Sequence, residues 1–244
     1  MQPISLRQKK LIKSLQLKKN RKEEQCFVVE GAKSVLELLA SDFEVILIAG
    51  TADFLDQHPV RTGEVVMVKE AELEGLGEFQ TNNAALAVAR MKPNTPLEVA
   101  AGEFALVLDD IRDPGNLGTI IRTADWFGIH KVIASEETAD CYSSKVITAT
   151  MGSFTRTRLY YTRLEEYLAN SQTRVFGAYL DGTSIHDVKF GQGGLVLIGN
   201  ESRGISPQLE PFVTDKVTIP RYGQAESLNA AIATAIFCDN LRRV

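Results

Sequence analysis

Five short, almost purely apolar runs in the second half of the chain set the strongest limit on its fold. "FALVLDD", "KVIAS", "RVFGAYL", "GGLVLIGN" and "KVTIP" follow one another after residue 100. A strand with one wet face alternates apolar and polar residues; a uniformly apolar run marks a strand buried on both faces. Stretches with helical spacing accompany these runs, in "DPGNLGTIIRTADWFG", "SSKVITATMG" and "SLNAAIATAIFCDNLRR". The pattern predicts an α/β fold, a parallel sheet covered by helices on both faces. The last helix is expected to open at Ser227, a good N-cap residue. Ligands of such sheets collect at the carboxyl ends of the strands.

The first ninety-odd residues read as a smaller α/β module. "CFVVEG", "EVILIAG", "VVMVKE" and "AALAVARM" have strand character, and "AKSVLELLAS" has helical spacing. "MKPNTPLEVAAGE" carries two prolines and a glycine and reads as a connection. Domains are therefore expected at 1–96 and 97–244, a division that 244 residues allow. A composition 44% hydrophobic and 24% charged suits burial of a core. No apolar run is long enough to span a bilayer, and the basic N-terminus lacks the apolar segment of a signal peptide, so a cytoplasmic protein is expected. Cys26, Cys141 and Cys238 are scattered, and His58, His130 and His186 are isolated, so neither a disulfide framework nor a metal centre is expected. Trp126 reads as core or interface packing, and "DGTSIHD" at 181–187 as a turn.

The net charge of −4 does not mark a nucleic-acid binder, but its distribution is uneven. Residues 1–22 hold Arg7, Lys9, Lys10, Lys13, Lys18, Lys19, Arg21 and Lys22 and no acid. Such a segment can contact phosphates and release their counterions. It can equally be an amphipathic helix with Leu6, Ile12, Leu15 and Leu17 turned inward.

Three strand ends combine turn residues with polar groups: "LDDIRDPGNLGTIIRTADWFG", "LVLIGNESRGIS" and "VTIPRYGQAESLNAAIATAI". They carry Asn116 and Arg122, Asn200 and Glu201, and Ser227 and Asn229. Neither G-x-G-x-x-G nor G-x-x-x-x-G-K-[ST] occurs, which argues against a Rossmann dehydrogenase or a P-loop enzyme. Asn116 reads either as an N-cap or as a group orienting a neighbour. Arg122 stands among Ile120, Ile121, Ala124 and Trp126, either snorkelling to solvent or aimed at a ligand. Arg156 and Arg158 alternate as on one strand face, suited to phosphate contact or to salt bridges.

The three segments, in this order, resemble the successive motifs of the SpoU (TrmH-type) RNA ribose 2′-O-methyltransferases of the SPOUT superfamily, from about residue 100 to the end. "LKKNRKEEQCFVVEGAKSVLELL" resembles the substrate-binding extension of members related to L30e/L7Ae-type ribosomal proteins. The resemblance implies a deep trefoil knot in the second domain, a homodimer with each site near the interface, and S-adenosylmethionine as cofactor. It places Gly199, Ile219 and Leu228, with Leu180, at the cofactor. It makes Arg122, Asn116, Glu201 and Asn229 the catalytic set and Ser227 a phosphate contact, which a helix start would favour. Arg122 is then either an unusual base or a permanent cation that holds phosphate and stabilises alkoxide; guanidinium chemistry favours the second. Ribosomal RNA is the expected substrate because of the extension, with Lys9, Lys10, Lys18 and Lys19 docking it. Transfer RNA is the runner-up, and a non-catalytic RNA-binding role in ribosome assembly is the alternative of a different class.

Overall fold

The computed structural model describes residues 2–78 and 82–243. Along the chain come β1 (Gln2–Pro3), α1 (Leu6–Ser14), α2 (Lys18–Glu24), β2 (Cys26–Glu30), α3 (Ala32–Leu39), β3 (Val45–Gly50), α4 (Ala52–Gln57), β4 (Glu64–Met67), α5 (Glu70–Leu76) and β5 (Ala85–Arg90). Then follow β6 (Phe104–Leu108), α6 (Pro114–Trp126), β7 (Lys131–Ala134), α7 (Ser144–Thr150), β8 (Arg158–Tyr161), α8 (Leu164–Ala169), β9 (Val175–Tyr179), β10 (Thr183–Ser184), β11 (Gly194–Ile198), β12 (Asp215–Thr218) and α9 (Ala230–Leu241). These elements form two compact units. One holds the chain up to Pro93 together with Asp140–Thr155; the other holds Asn94–Ala139 and the chain from Arg156 onward.

The first unit is built on a mixed sheet of order β1-β4-β3-β5-β2, with β5 antiparallel to both β3 and β2. Strand alternation sorts its core into two faces. Cys26 and Val28 pack with Ile12, Leu15, Leu47 and Val88. Phe27 and Val29 pack with Val35, Leu38 and Ile48, and also with Ile147 and Phe154 from the later segment. The helix of "SSKVITATMG", read from local spacing as part of the second domain, thus belongs to the first unit. Spacing reports that a helix has an apolar face; it does not report which sheet that face meets.

The basic N-terminal segment forms two helices. Ile12 and Leu15 are buried as an amphipathic reading requires, but Leu6 and Leu17 are exposed. Arg21 is buried at 4% exposure. Its Nη1 donates to the Leu15 and Gln16 carbonyls, each at 2.8 Å, and its Nη2 to Asp140 at 2.7 Å. It therefore satisfies carbonyls left over at the end of α1, a structural duty for one of the basic residues.

The second unit carries a sheet of order β10-β12-β9-β11-β6-β7-β8, parallel throughout among the described residues. Every residue of β6 and β11 is buried, as uniformly apolar central strands should be. The 181–187 segment contains the edge strand β10, which pairs with β12, where a turn alone was expected. The final helix starts later than Ser227. Asn229 is its N-cap, with Oδ1 accepting from Ala231 N at 2.9 Å and Ile232 N at 3.2 Å. Ser227 lies upstream in an exposed loop, so the helix-start argument for an anion at Ser227 does not hold. Among the described residues no helix is long and apolar enough to cross a membrane.

Candidate active site

The carboxyl ends of β12, β9, β11 and β6 lie side by side. Thr218 pairs with Tyr179, Leu197 with Gly177 and Ile198 with Leu108. Ile219, Leu180 and Gly199 are therefore close to one another, each just beyond an adjacent strand end. Thr218 Oγ1 donates to the Leu180 carbonyl at 3.1 Å, while the Leu180 side chain stays 78% exposed. Gly199 has a local reason to be glycine. A Cβ there would run into the backbone of Gly204 and Ile205, because the loop after β11 folds back sharply. Asn200 N donates to the Gly204 carbonyl at 3.0 Å, and Gly204 N to the Asn200 carbonyl at 2.8 Å.

At the neighbouring end of β6, α6 begins with a well-formed cap. Asp113 Oδ1 accepts from Asn116 N at 2.8 Å, and Pro114 takes the first helical position, where no N–H is needed. Asp113, not Asn116, is thus the capping residue. Leu117, Ile120, Ile121 and Ala124 are buried. Gly115, Thr119, Arg122 and Trp126 form the exposed stripe at helical spacing. Trp126 is 84% exposed, so it is not a core residue of this unit. The Arg122 side chain makes no hydrogen bond or ion pair among the described residues. It stands six residues after Asn116, off the face that Asn116 presents.

Asn116, Glu201 and Asn229 are joined, and the direction of each bond follows from chemistry. Asn229 Oδ1 must accept the two helix N–H groups, so its Nδ2 is the end left to donate. That Nδ2 donates to Asn116 Oδ1 at 2.9 Å. Asn116 must then turn its own Nδ2 outward, and it donates to Glu201 Oε1. A directed chain therefore runs from the start of α9, through α6, to an acid on the loop after β11. Glu201 Oε2 remains without a hydrogen bond among the described residues.

Sequence reasoning passed over two acids that organise this region. Asp109 and Asp110 directly follow β6 and are both buried. Asp109 Oδ2 accepts from Ser206 N at 2.7 Å, and burial pushes its carboxyl above the usual range. The signal was available: two consecutive acids closing a fully apolar strand are costly unless each has a partner.

The remaining expected contacts divide sharply. Arg156 precedes β8 and is not part of it, and it pairs with Asp125 at 2.9 Å. Arg158 opens β8 and is exposed, with buried Thr157 between the two arginines. Ile219 is half-buried and Leu228 exposed. In the first unit, Lys9 is paired with Glu72 at 2.7 Å, a bond that holds the Glu72 carboxyl below its ordinary range. Lys10, Lys18 and Lys19 are exposed.

Both halves of the chain match known proteins. The SpoU rRNA Methylase family matches residues 103–239, and an MRM3-like substrate binding domain matches residues 7–87. The chain is 31% identical over 235 residues to the 23S rRNA (guanosine(2553)-2′-O)-methyltransferase RlmP of Bacillus subtilis, covering 94% of each protein. It is 33% identical over 198 residues to a 23S rRNA (uridine(2479)-2′-O)-methyltransferase of Streptomyces viridochromogenes, covering 75% of this chain and 69% of the relative. The structure superposes on an AdoMet-bound rRNA methyltransferase from Sinorhizobium meliloti with a TM-score of 0.89 at 29% identity, over 99% of this chain and 97% of that one. A family match across more than half the chain, with a relative aligned over nearly its whole length, places the protein: it belongs to the SpoU rRNA methylase family.

Proposed function

We propose that this protein transfers a methyl group from S-adenosylmethionine to the ribose 2′-hydroxyl of a nucleotide in ribosomal RNA. The observation that carries the reading is the directed chain Asn229–Asn116–Glu201, assembled at the carboxyl ends of parallel strands. Leu180, Ile219 and Leu228 offer apolar side chains beside strand-end backbone groups, a surface that fits an adenosyl moiety. The cofactor supplies a methyl group already activated on a sulfonium.

The harder partner is the 2′-hydroxyl, a poor nucleophile at neutral pH that needs orientation and help with its proton. Asn116 fixes one oxygen of Glu201, which leaves the other to accept from the ribose. Arg122 makes no ion pair among the described residues, so its charge is available to an RNA phosphate and to a developing alkoxide. The same reading makes the protein a cytoplasmic homodimer. Trp126 and Ile232 are exposed on α6 and α9, two helices packed on each other, and offer apolar surface for a second copy. The packing of α9, after β12, on α6 and β11 supports a knotted C-terminus. The first unit, whose N-terminal part ends at Pro93 where 96 was expected, serves to dock the RNA, in keeping with the substrate-binding match at 7–87.

The test is methyl transfer from labelled S-adenosylmethionine into unmodified ribosomal and transfer RNA, offered separately. Label is expected in ribosomal RNA. Label confined to transfer RNA would reassign the substrate. A protein that binds RNA but neither binds the cofactor nor transfers methyl would be the assembly factor of the alternative reading.

Two variants sharpen the reading. Asn229→Asp keeps an acceptor for the α9 N–H groups, so thermal stability should change by no more than about 0.5 kcal/mol. It removes the donor that orients Asn116, so methyl transfer should fall at least about tenfold. Equal loss of stability and activity would reduce Asn229 to a cap. Neutralising Lys10, Lys18 and Lys19 should weaken RNA binding and flatten its salt dependence by up to about three in log–log slope, one for each lost phosphate contact. Adding Lys9→Gln should contribute less than the others, because Lys9 is already paired with Glu72. An unchanged salt slope would remove this segment from the RNA surface.

A further inference from the structure

Asp110 has a backbone φ of +59°, in the left-handed region that a non-glycine residue adopts only when its surroundings hold it there. Its side chain is buried and gathers two cations. Arg112 Nε donates to Oδ1 at 2.5 Å, and Arg203 Nη2 donates to Oδ2. Asn200 Nδ2 also donates to the Asp110 carbonyl at 2.9 Å and to Oδ2 at 3.3 Å. The turn after β6 and the loop after β11 are thus tied together at the backbone and through the carboxylate.

The Arg112 and Arg203 side chains are 63% and 64% exposed. Neither side chain makes a further hydrogen bond among the described residues. One carboxylate balances one of the two charges, and Glu137 acts on Arg112 only through space. Tying the loops would need Asn200 and a single arginine. A second guanidinium on the same carboxylate adds like-charge repulsion, which an incoming anion relieves. The pair also flanks the Asn116–Glu201 contact along the chain. Arg112 precedes Asp113, the cap of the helix that carries Asn116, and Arg203 stands two residues after Glu201.

We infer that Arg112 and Arg203, held by Asp110, form a clamp for a backbone phosphate of the RNA beside the modified nucleotide, a substrate-binding element that rests on the proposed function. Guanidinium N–H groups fixed on one side by a carboxylate present their remaining donors in a plane suited to phosphate oxygens. Such contacts set register and affinity and leave the chemical step alone.

Arg112→Gln and Arg203→Gln, singly and together, are compared with wild type in two assays. One measures binding of transcribed, unmodified 23S ribosomal RNA across a salt series. The other measures methyl transfer into that RNA, with KM and kcat read separately. Each single substitution should raise Kd and KM about tenfold, lower the salt slope by about one, and leave kcat and cofactor affinity within about twofold. Arg203→Lys should keep the salt slope, because the charge remains. An unchanged Kd and salt slope in the double variant overturns the clamp, whatever happens to kcat. A wild type that binds RNA steeply in salt yet transfers no methyl overturns the proposed activity, while the binding assay still decides the clamp. A wild type that binds no RNA overturns both.

Discussion

Replacing Arg122 with alanine should lower kcat for methyl transfer by about 10²–10³-fold, the usual cost of losing one preorganised donor to developing negative charge. The fold should be unaffected, since the side chain is exposed and makes no hydrogen bond or ion pair among the described residues. Arg122→Lys should recover little, because an ammonium presents a point charge where the proposed contact with phosphate and ribose calls for a planar fork. The pH profile separates the two roles open to this residue. A cation that only stabilises charge imposes no titration of its own, and the lysine variant then keeps the profile shape of the wild type. A base role predicts that the lysine variant gains activity as pH rises and the ammonium deprotonates. Wild-type kcat in Arg122→Ala would remove this residue from the reaction and leave it as a surface cation.

The largest effect on stability should come from Arg21→Met. The side chain of Arg21 is 5% exposed and that of Asp140 14% exposed, so the substitution strands a carboxylate with little solvent to receive it. Breaking a buried pair by removing one partner costs about 3–5 kcal/mol. The Leu15 and Gln16 carbonyls lose their donor in the same step. For a chain of this size that corresponds to a fall in Tm of roughly ten degrees. The double variant Arg21→Met/Asp140→Asn should regain part of the loss, since the stranded charge is gone. A loss under about 1 kcal/mol, read by urea or thermal unfolding, would mean that the pair is solvated in solution. Cofactor binding should be unchanged at temperatures where the variant is folded.

The Arg21 case also shows how a correct compositional reading can mislead about single residues. The acid-free run over residues 1–22 suggests one basic surface. In the folded chain Lys10, Lys18 and Lys19 are exposed, Lys9 answers Glu72, and Arg21 is a buried link to Asp140. Charge can be counted along a chain, but availability depends on partners far from it. Arg156 repeats the lesson: it was a candidate phosphate contact, and it is paired with Asp125.

Much of the fold was legible because the relevant physics is local. Two-sided burial shows as uninterrupted apolar runs, and those runs are strands of the parallel sheet. Helix entry is favoured by a side-chain acceptor within three residues; at α6 that acceptor is Asp113, where the sequence had offered Asn116. Even here the last helix was misplaced by two residues, because Ser227 and Asn229 are both competent caps and sequence does not show which one reaches the N–H groups.

The sequence by itself determined five of the seven strands of the parallel sheet, the three strand-end segments and, through their resemblance to a known family, the family to which the chain belongs. Tertiary structure alone decided that α7 completes the core of the first unit, that Arg112 and Arg203 meet on Asp110, and that Asn116 meets Glu201 and Asn229 across 85 and 113 residues of chain. The division has one physical cause. Burial period and capping are satisfied within a turn or two of backbone, whereas the direction of an amide or the neutralisation of a carboxylate depends on whichever groups the completed fold brings beside it.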